Sequence, residues 1–334
     1  MTGSSSISIT LTDIWYAWIT FRSGKKPSHA ILKFEQNLEA NLIRLCYDLN
    51  TGAYEHQEYS HKIVNEKKRR DIYVASVRDR VVHRLLYDYL VPNIDPKLDF
   101  DVWSCRAGKG LHDCLARTEK LLAKHSTAWV WRADITKFFD SVPHDILSGI
   151  VDRHIVCVKT KSILDNIVAS YSSQLEVSQS VSQSVSQSVS QSVSQSATGL
   201  PIGDLTSQIL SNLYLNEFDA YVRHVIKPLA YVRYGDDFII ICPTEVDLKR
   251  ARKFGTEKLS QLGLNVNGTQ DKIVRSWQGL HFLGHIVTKD GSVISRKTKN
   301  LMLRRINLQN VSSYASLKTD KEVERAIPWL VDLR

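Results

Sequence analysis

The sequence predicts an α+β protein in which an antiparallel sheet packs on helices. β-Branched and aromatic residues dominate two segments, Trp129–Ala133 and Tyr231–Ile241, as is typical of buried strands. Gly235 divides the second segment and permits the tight turn of a two-stranded hairpin. Apolar residues recur at helical spacing over Ile31–Leu45, which predicts amphipathic helical structure. The 334 residues, 43% of them hydrophobic, suffice for two or three subdomains.

The other elements are predicted from the same patterns. Proline lacks a backbone N–H, so Pro92 is expected to close the helix before it, and Gly263 is expected to end a later helix. In chain order, the predicted elements are a helical section to about Leu49, a β-rich stretch at Tyr59–Ala75, a helix at Asp79–Leu90, a strand at Trp129–Ala133, a helix from near Ser141, the Tyr231–Ile241 hairpin, a helix at Lys249–Leu262 and a basic helical tail from about Lys297.

The charge balance indicates a phosphate-rich partner. The formal net charge is +9 and the sequence pI is near 9.2, as expected of a protein that neutralises nucleic-acid phosphates. Basic residues concentrate in residues 67–84 and again in Arg296–Arg305. A solvated helix face is the alternative explanation of either cluster taken alone.

The sequence shows no membrane segment or secretory signal. No apolar run reaches about 18 residues, and the N-terminus lacks a basic-then-apolar pattern. The five cysteines are odd in number and lack metal-ligand spacing, so reduced thiols are expected rather than disulfides or a zinc site. We therefore expect a cytoplasmic protein with no membrane partner.

Two adjacent carboxylates stand in an apolar setting at Tyr234-Gly235-Asp236-Asp237. Held together without a partner, they would repel each other and one would tend to protonate, whereas a divalent cation resolves the conflict. A solvated Asp-Asp turn is the alternative, because Gly-Asp is ordinary turn chemistry.

A second acidic site favours the metal. Asp134 directly follows the predicted strand Trp129–Ala133, so an apolar strand again delivers a carboxylate at its end. Magnesium takes oxygen ligands from a few carboxylates and leaves positions for phosphates and water, as a two-metal nucleotidyl transfer requires. Asp134 and Asp236 are the predicted shared ligands.

The order of these motifs resembles that of the reverse transcriptases. Asp134 matches the family's first catalytic carboxylate, and the tetrad at 234–237 matches its second acidic block. Four further segments resemble family blocks. Lys67–His83 resembles the fingers, and Ser104–His112 resembles the block just after them. Gly199–Asp219 resembles the loop and helix that cradle template and nucleotide, and Gly279–Gly284 resembles the primer-gripping hairpin. The matches span about residues 30–290.

The resemblance implies a right-hand polymerase fold, α+β in class, with fingers, a palm and a short helical thumb. It assigns residues 1–125 to an N-terminal helical region and the fingers, residues 126–290 to the palm with its antiparallel sheet on helices, and residues 291–334 to a short basic thumb. Residues 177–196 are five tandem copies of Val-Ser-Gln-Ser, which we interpret as a flexible, low-complexity insertion within the palm.

The resemblance also implies the metal chemistry. Two Mg²⁺ ions, for which Mn²⁺ is an expected substitute, would be held by Asp134, Asp236 and Asp237, assisted by the Ile135 carbonyl. Lys272 is the candidate proton donor to pyrophosphate, and an exposed lysine without a role is the alternative.

Substrate-binding residues follow from the same resemblance. Arg70 would contact the triphosphate, for which a forked guanidinium is suited. Phe139 would lie under the sugar of the incoming deoxynucleotide (dNTP) and exclude a 2′-hydroxyl, the alternative being a core aromatic. The loop bearing Ile202 and Gly203, with Gln208 just after it, would cradle the nucleotide.

The loop also resembles a subfamily. Ile202 stands where most reverse transcriptases carry glutamine, and Gln208 where many carry proline, as in the enzymes of diversity-generating retroelements, which make errors at template adenines. An isoleucine side chain cannot form a hydrogen bond near the nucleotide, as glutamine could. We therefore expect weaker discrimination between correct and incorrect nucleotides. Asp204 stands where the family usually has asparagine, an unexplained departure.

The implied partners are a template RNA, a primer or its cDNA, dNTPs and a small basic accessory protein. Several alternatives stay open: a reverse transcriptase of a group II intron-like, retron or phage-defence system, an RNA-dependent RNA polymerase, or a catalytically impaired RNA-binding relative. Phe139 argues against an RNA product.

Overall fold

The computed structural model describes residues 8–65, 69–172 and 197–305. Its helices are α1 (Leu11–Arg22), α2 (His29–Glu35), α3 (Leu38–Thr51), α4 (Val77–Ile94), α5 (Leu111–Lys124), α6 (Phe138–Ser141), α7 (His144–His154), α8 (Val158–Ala169), α9 (Leu205–Tyr221), α10 (Glu245–Gln261) and α11 (Arg296–Arg305). Its strands are β1 (Ser60–Asn65), β2 (Arg69–Val74), β3 (Trp129–Ala133), β4 (Ala230–Tyr234), β5 (Asp237–Cys242), β6 (Lys272–Arg275), β7 (Leu280–Phe282), β8 (His285–Thr288) and β9 (Gly291–Ile294). The Val-Ser-Gln-Ser tract, Lys67 and most of the predicted thumb lie outside these residues.

The N-terminal helices form one layer around α4. A capping box starts α1, in which the Thr10 hydroxyl accepts from the Asp13 N–H and the Asp13 carboxylate accepts from the Thr10 N–H. The buried face of α1, which includes Ile14 and Trp18, packs against α3 and α4 in the main core. The helical spacing predicted over Ile31–Leu45 is confirmed, although the segment is divided between α2 and α3.

Helix α4 runs further than predicted. The prediction that Pro92 closes it is wrong, because the helix continues to Ile94 and is followed by a 3₁₀ turn at Asp95–Lys97. Pro92 lies in the last turn, so its missing N–H removes a single helical hydrogen bond. Ile94 is fully buried, and its packing favours the extra turn.

The β-rich stretch predicted before α4 is a hairpin. Strands β1 and β2 pair antiparallel from Ser60 opposite Val74 to Asn65 opposite Arg69. A separate antiparallel sheet of β7, β8 and β9 follows the central sheet in the chain and packs against α5. The last described helix, α11, begins directly after it.

The central sheet has the strand order β4-β5-β3-β6, and every neighbouring pair is antiparallel. Alternate residues face opposite sides, as strand geometry requires. Trp131 and Phe238 face the main core with α9 and α10, whereas Val130 and Ile239 face a second core with α5 and the β7–β9 sheet. The predicted helix under the sheet is α10, which ends before Gly263 at φ +67°.

Among the described helices, none is both long and apolar enough to cross a membrane. All five cysteines lie in the described part of the chain, and none forms a disulfide there.

Candidate active site

The acidic tetrad lies at a hairpin turn, as the sequence predicts. Tyr234 ends β4 and pairs with Asp237, the first residue of β5, so Gly235 and Asp236 form a two-residue turn. Gly235 adopts φ +65°, a left-handed conformation that glycine accepts without a steric penalty. The tight turn fixes where both carboxylates leave the sheet.

The neighbouring strand brings Asp134 to the same edge. Strand β3 pairs antiparallel with β5 up to Ala133 opposite Phe238, and Asp134 is the next residue. Asn267 holds it on the other side, because its N–H donates to the Asp134 carbonyl at 2.8 Å and its amide Nδ2 donates to Oδ2 at 3.3 Å. Residues about 100 positions apart are thus brought together by strand pairing.

Asp134 and Asp236 interact directly. Burial, the Asp134 charge, the Asp237 charge and a hydrogen bond with Asp134 together raise the pKa of Asp236 to about 7. Two carboxylates held this close repel each other, and a bound cation would offset that repulsion.

Asp237 is placed differently. The Arg132 guanidinium donates to Asp237 Oδ1 at 2.6 Å, and it also donates to the Gln270 side chain. Burial raises the pKa of Asp237, while the Arg132 charge opposes that rise. Sequence reasoning overlooked Arg132, although an arginine two residues before Asp134 in an apolar strand was a signal.

The Ile135 carbonyl takes no part in the backbone pairing with residues 265–267. Ile135 pairs with Val266 in an antiparallel bridge, but the hydrogen bonds of that bridge are made by the flanking residues. The Asn267 N–H donates to the Asp134 carbonyl, and the Thr136 N–H donates to the Asn265 carbonyl. In this arrangement the Ile135 carbonyl points away from residues 265–267.

These oxygens fit a hard divalent cation, because carboxylate and carbonyl groups are the ligands that Mg²⁺ prefers. The raised pKa of Asp236 supports the fit, since a bound cation would favour the ionised carboxylate. Among the described residues, no three Asp, Glu, His or Cys side chains are already gathered around one point. Asp134 and Asp236 form the close pair, Asp237 is held by Arg132, and the two-ion assignment stays a prediction.

The predicted nucleotide loop lies against Phe139. The Leu200 N–H donates to the Phe139 carbonyl, and the Gly199 N–H donates to the Val142 carbonyl at 2.9 Å. Phe139 is half-buried, packs on the main core and meets Phe138 edge-on at 5.3 Å between ring centroids. The structure brings Phe139 and the loop together, while its role as a sugar gate stays a prediction.

The loop ends in an exposed corner. Ile202 is 37% exposed, and Gly203 at φ +110° has no atom within 4 Å of the position its Cβ would take. Gln208 is half-buried in the first turn of α9, where its N–H donates to the Asp204 carbonyl at 3.2 Å. The corner thus leaves open space beside Gly203.

Lys272 is not tied to the carboxylates by any described contact, and the side chain of Arg70 lies outside what the structure describes. The Arg70 backbone pairs with Val64 in the β1–β2 hairpin. Lys272 begins β6, is exposed and pairs through its backbone with Arg132, so it lies on the far side of β3 from the tetrad strand. Their proposed contacts with substrate stay predictions.

The family model described as "Reverse transcriptase (RNA-dependent DNA polymerase)" matches residues 60–287. This range holds the central sheet, the nucleotide loop and all three aspartates. The chain belongs to the reverse transcriptase family. The chemistry of this family is RNA-directed DNA polymerisation.

Individual relatives of this reverse transcriptase are distant. It is 25% identical over 255 residues to Protein YkfC of Escherichia coli (strain K12), covering 65% of this chain and 63% of YkfC. It is 21% identical over 188 residues to the Group II intron-encoded protein LtrA of Lactococcus lactis subsp. cremoris, covering 55% of this chain and 28% of LtrA. An uncharacterized 91 kDa protein in the cob intron of Schizosaccharomyces pombe is 24% identical over 168 residues, covering 49% of this chain and 18% of that protein. The chain spans less than two thirds of the length of each of these relatives.

Asp204 directly follows the predicted nucleotide loop, and the sequence left it unexplained. It precedes α9 in the N-cap position, yet its side chain makes no capping hydrogen bond and is buried. His83 Nε2 lies 3.6 Å from Asp204 Oδ2, and that oxygen has no hydrogen-bond partner among the described residues. Burial raises the pKa of Asp204 to about 6. The sequence signal was the departure from asparagine at this position.

Proposed function

We propose that the protein is an RNA-directed DNA polymerase that copies a template RNA into cDNA by two-metal nucleotidyl transfer. The observation that carries this proposal is the meeting of Asp134 and Asp236 at one edge of an antiparallel sheet, inside the region that matches the reverse transcriptase family. Strand ends hold both carboxylates rigidly, as a preorganised site requires.

The residues divide the chemistry between them. Asp134, Asp236 and Asp237, with the Ile135 carbonyl, would hold Mg²⁺ or Mn²⁺. When bound, the ions lower the pKa of the primer 3′-hydroxyl and stabilise the pyrophosphate that leaves. Asn267 orients Asp134 through two hydrogen bonds, and Arg132 limits the negative charge at Asp237.

Selection of the substrate falls to Phe139 and the adjoining loop. The Phe139 backbone lies beside the loop because the Leu200 N–H donates to the Phe139 carbonyl. A ring under the sugar of the incoming dNTP leaves no room for a 2′-hydroxyl. Arg70 would bind the triphosphate, and Lys272 would protonate pyrophosphate.

Primer extension tests the enzymatic proposal. Purified protein with an RNA template, a DNA primer, dNTPs and Mg²⁺ is expected to extend the primer, whereas ribonucleotides are not incorporated. Asp236→Asn should lower the rate by at least about 100-fold, since it removes transition-state stabilisation at the reacting centre. The control Asp290→Asn changes an exposed aspartate in the β8–β9 turn and should leave the rate unchanged. Absence of extension by the wild type would leave only the RNA-binding alternative, and equal extension rates for wild type and Asp236→Asn would refute the catalytic role of Asp236.

We further propose error-prone synthesis of the kind found in diversity-generating retroelements, assisted by a small basic accessory protein. Its support is the exposed apolar Ile202 in the loop before α9, together with the half-buried Gln208 in the first turn of that helix. Ile202→Gln, which restores a hydrogen-bonding side chain, is expected to reduce misincorporation opposite template adenine by about 10-fold. Ile202→Leu serves as the apolar control and should leave the error rate as it is. An error rate that is the same in all three proteins would refute the subfamily assignment.

A group II intron-like role is the second candidate. Its support is the similarity to LtrA and to the protein in the cob intron. The adjacent DNA distinguishes the two roles: a template repeat beside a near-copy that differs mainly at adenines favours diversity generation, and a surrounding intron favours the alternative.

A further inference from the structure

A fully buried ion pair lies directly behind the carboxylate turn. Arg233, on β4, and Asp219, near the end of α9, are both buried. The Arg233 guanidinium donates two hydrogen bonds to the Asp219 carboxylate, from Nε at 2.8 Å and from a terminal nitrogen at 2.6 Å. The Tyr231 hydroxyl donates to the same carboxylate at 2.6 Å. The Arg233 charge is thus compensated without solvent.

The remaining nitrogen of Arg233 reaches the turn itself. It donates to the Gly235 carbonyl at 3.0 Å and to the Asn212 amide oxygen at 3.2 Å. Gly235 is the residue immediately before Asp236, so the carbonyl belongs to the peptide group that carries the Asp236 nitrogen. A lysine could neutralise Asp219 but could not present three nitrogens in this fixed fork.

The N–H of Gly235 is held from a different part of the chain. It donates to the Ser104 hydroxyl at 2.8 Å, and the Asn212 amide donates to the Ser104 carbonyl at 2.9 Å. Ser104 is itself fixed, because the segment before it runs parallel to β4 and makes two backbone hydrogen bonds of 2.9 Å with Arg233. Both polar groups of the Gly235 backbone therefore have buried partners.

A buried ion pair adds little to the stability of a fold, since proteins with apolar residues of similar volume in its place are often as stable. Its value here lies in geometry. Catalytic groups displaced by about 1 Å can lose about 100-fold in rate, and supporting side chains set that placement. The Gly235 backbone is thus connected to α9, β4 and the 101–104 segment through four side chains, those of Asp219, Asn212, Arg233 and Ser104.

We propose that Arg233 and Ser104 are positioning residues that fix the Gly235 backbone and thereby set the position of Asp236 relative to Asp134. The inference rests on the proposed function, because Asp236 is taken as a metal ligand. It assigns Asp219 and Asn212 to holding Arg233 and Ser104 in place. None of these four side chains is required to touch substrate.

The first test uses Ser104→Ala, a small change that removes only the hydroxyl. The matched control is Thr118→Val, which removes another buried hydroxyl, on α5, that donates to the Cys114 carbonyl at 2.8 Å. We expect Ser104→Ala to lower kcat by about 10-fold with the KM for dNTP unchanged, while both variants lose similar thermal stability. A change in kcat no greater than that of Thr118→Val would overturn the proposal.

A second readout does not need polymerisation. Binding of Mn²⁺ alone, followed by electron paramagnetic resonance, should weaken by about 10-fold in Ser104→Ala and in Arg233→Lys, and remain at the wild-type value in Thr118→Val. If wild type polymerises and Asp236→Asn does not, the proposed function stands, and unchanged Mn²⁺ binding in Ser104→Ala then refutes the positioning role alone. If wild type does not polymerise, the Mn²⁺ comparison still decides the positioning role. An Arg233→Lys variant that fails to fold leaves Ser104→Ala to decide.

Discussion

Replacing Asp204 by asparagine is predicted to stabilise the protein at neutral pH. The Asp204 side chain is 7% exposed, and Oδ2 has no hydrogen-bond partner within the described ranges. The neighbouring His83 cannot compensate it, because burial lowers the pKa of His83 to about 3 and keeps the ring neutral. Tyr59 and the Arg80 charge lower the pKa of Asp204 by less than burial raises it. The charge of Asp204 is therefore buried at a net cost.

The size of the effect follows from the pKa. Burial raises the pKa of Asp204 from 3.8 to about 6, and each unit corresponds to about 1.4 kcal/mol, so the ionised form costs at most about 3 kcal/mol. The folded pKa lies above the unfolded one, so stability from this group is present below pH 4 and is lost as the pH rises to 6. Asparagine has no charge to bury and suits the same N-cap position. We expect Asp204→Asn to gain about 1 to 3 kcal/mol at pH 8 and much less at pH 4.

Urea unfolding at pH 4, 6 and 8 measures this difference. The free energy of unfolding of the wild type should fall relative to that of Asp204→Asn between pH 4 and 6, and the difference should then stay constant to pH 8. Asp290→Asn, at an exposed turn, should change stability by less than about 0.5 kcal/mol at every pH. A constant difference between wild type and Asp204→Asn from pH 4 to 8 would show that the buried carboxylate is not the titrating group.

Two further predictions concern packing and the acidic pair. Gly255→Ala should destabilise the fold by about 1 to 3 kcal/mol, because the added Cβ would lie 2.9 Å from the buried Trp131 ring. Gly149 lies on α7 with open space around it, so Gly149→Ala should stabilise the fold by up to about 1 kcal/mol through the higher helix propensity of alanine. Thermal unfolding of both variants checks this, and equal shifts would contradict it. The pKa of Asp236 is raised to about 7, so the stability that this group contributes to the metal-free protein should be lost as the pH rises from 4 through 7. Mg²⁺ should therefore raise the Tm more at pH 8 than at pH 5. Asp236→Asn should abolish that pH dependence of the Mg²⁺ effect, and a Tm rise of equal size at both pH values in the wild type would refute it.

The local elements were largely predictable. The Tyr231–Ile241 pattern specified a hairpin with Gly235 at its turn, and apolar spacing specified helical structure over Ile31–Leu45, because side-chain periodicity is a property of neighbouring residues. The helices α5 and α8 were not predicted. Pro92 is the exception: local chemistry favours a helix end there, but burial of Ile94 outweighs it. The three aspartates were also visible in the sequence, since carboxylates in apolar strands are costly without a partner.

The sequence alone determined that two strands end in carboxylates and that the motifs follow the order of a reverse transcriptase. Only the tertiary structure decided what surrounds them: Arg132 on Asp237, Ser104 and Arg233 on the Gly235 backbone, and an Asp204 that faces inward. These contacts join residues from separate elements, often more than 100 positions apart. Hydrogen-bond partners at such separations are chosen by strand register and helix packing, and no periodicity of the chain encodes them.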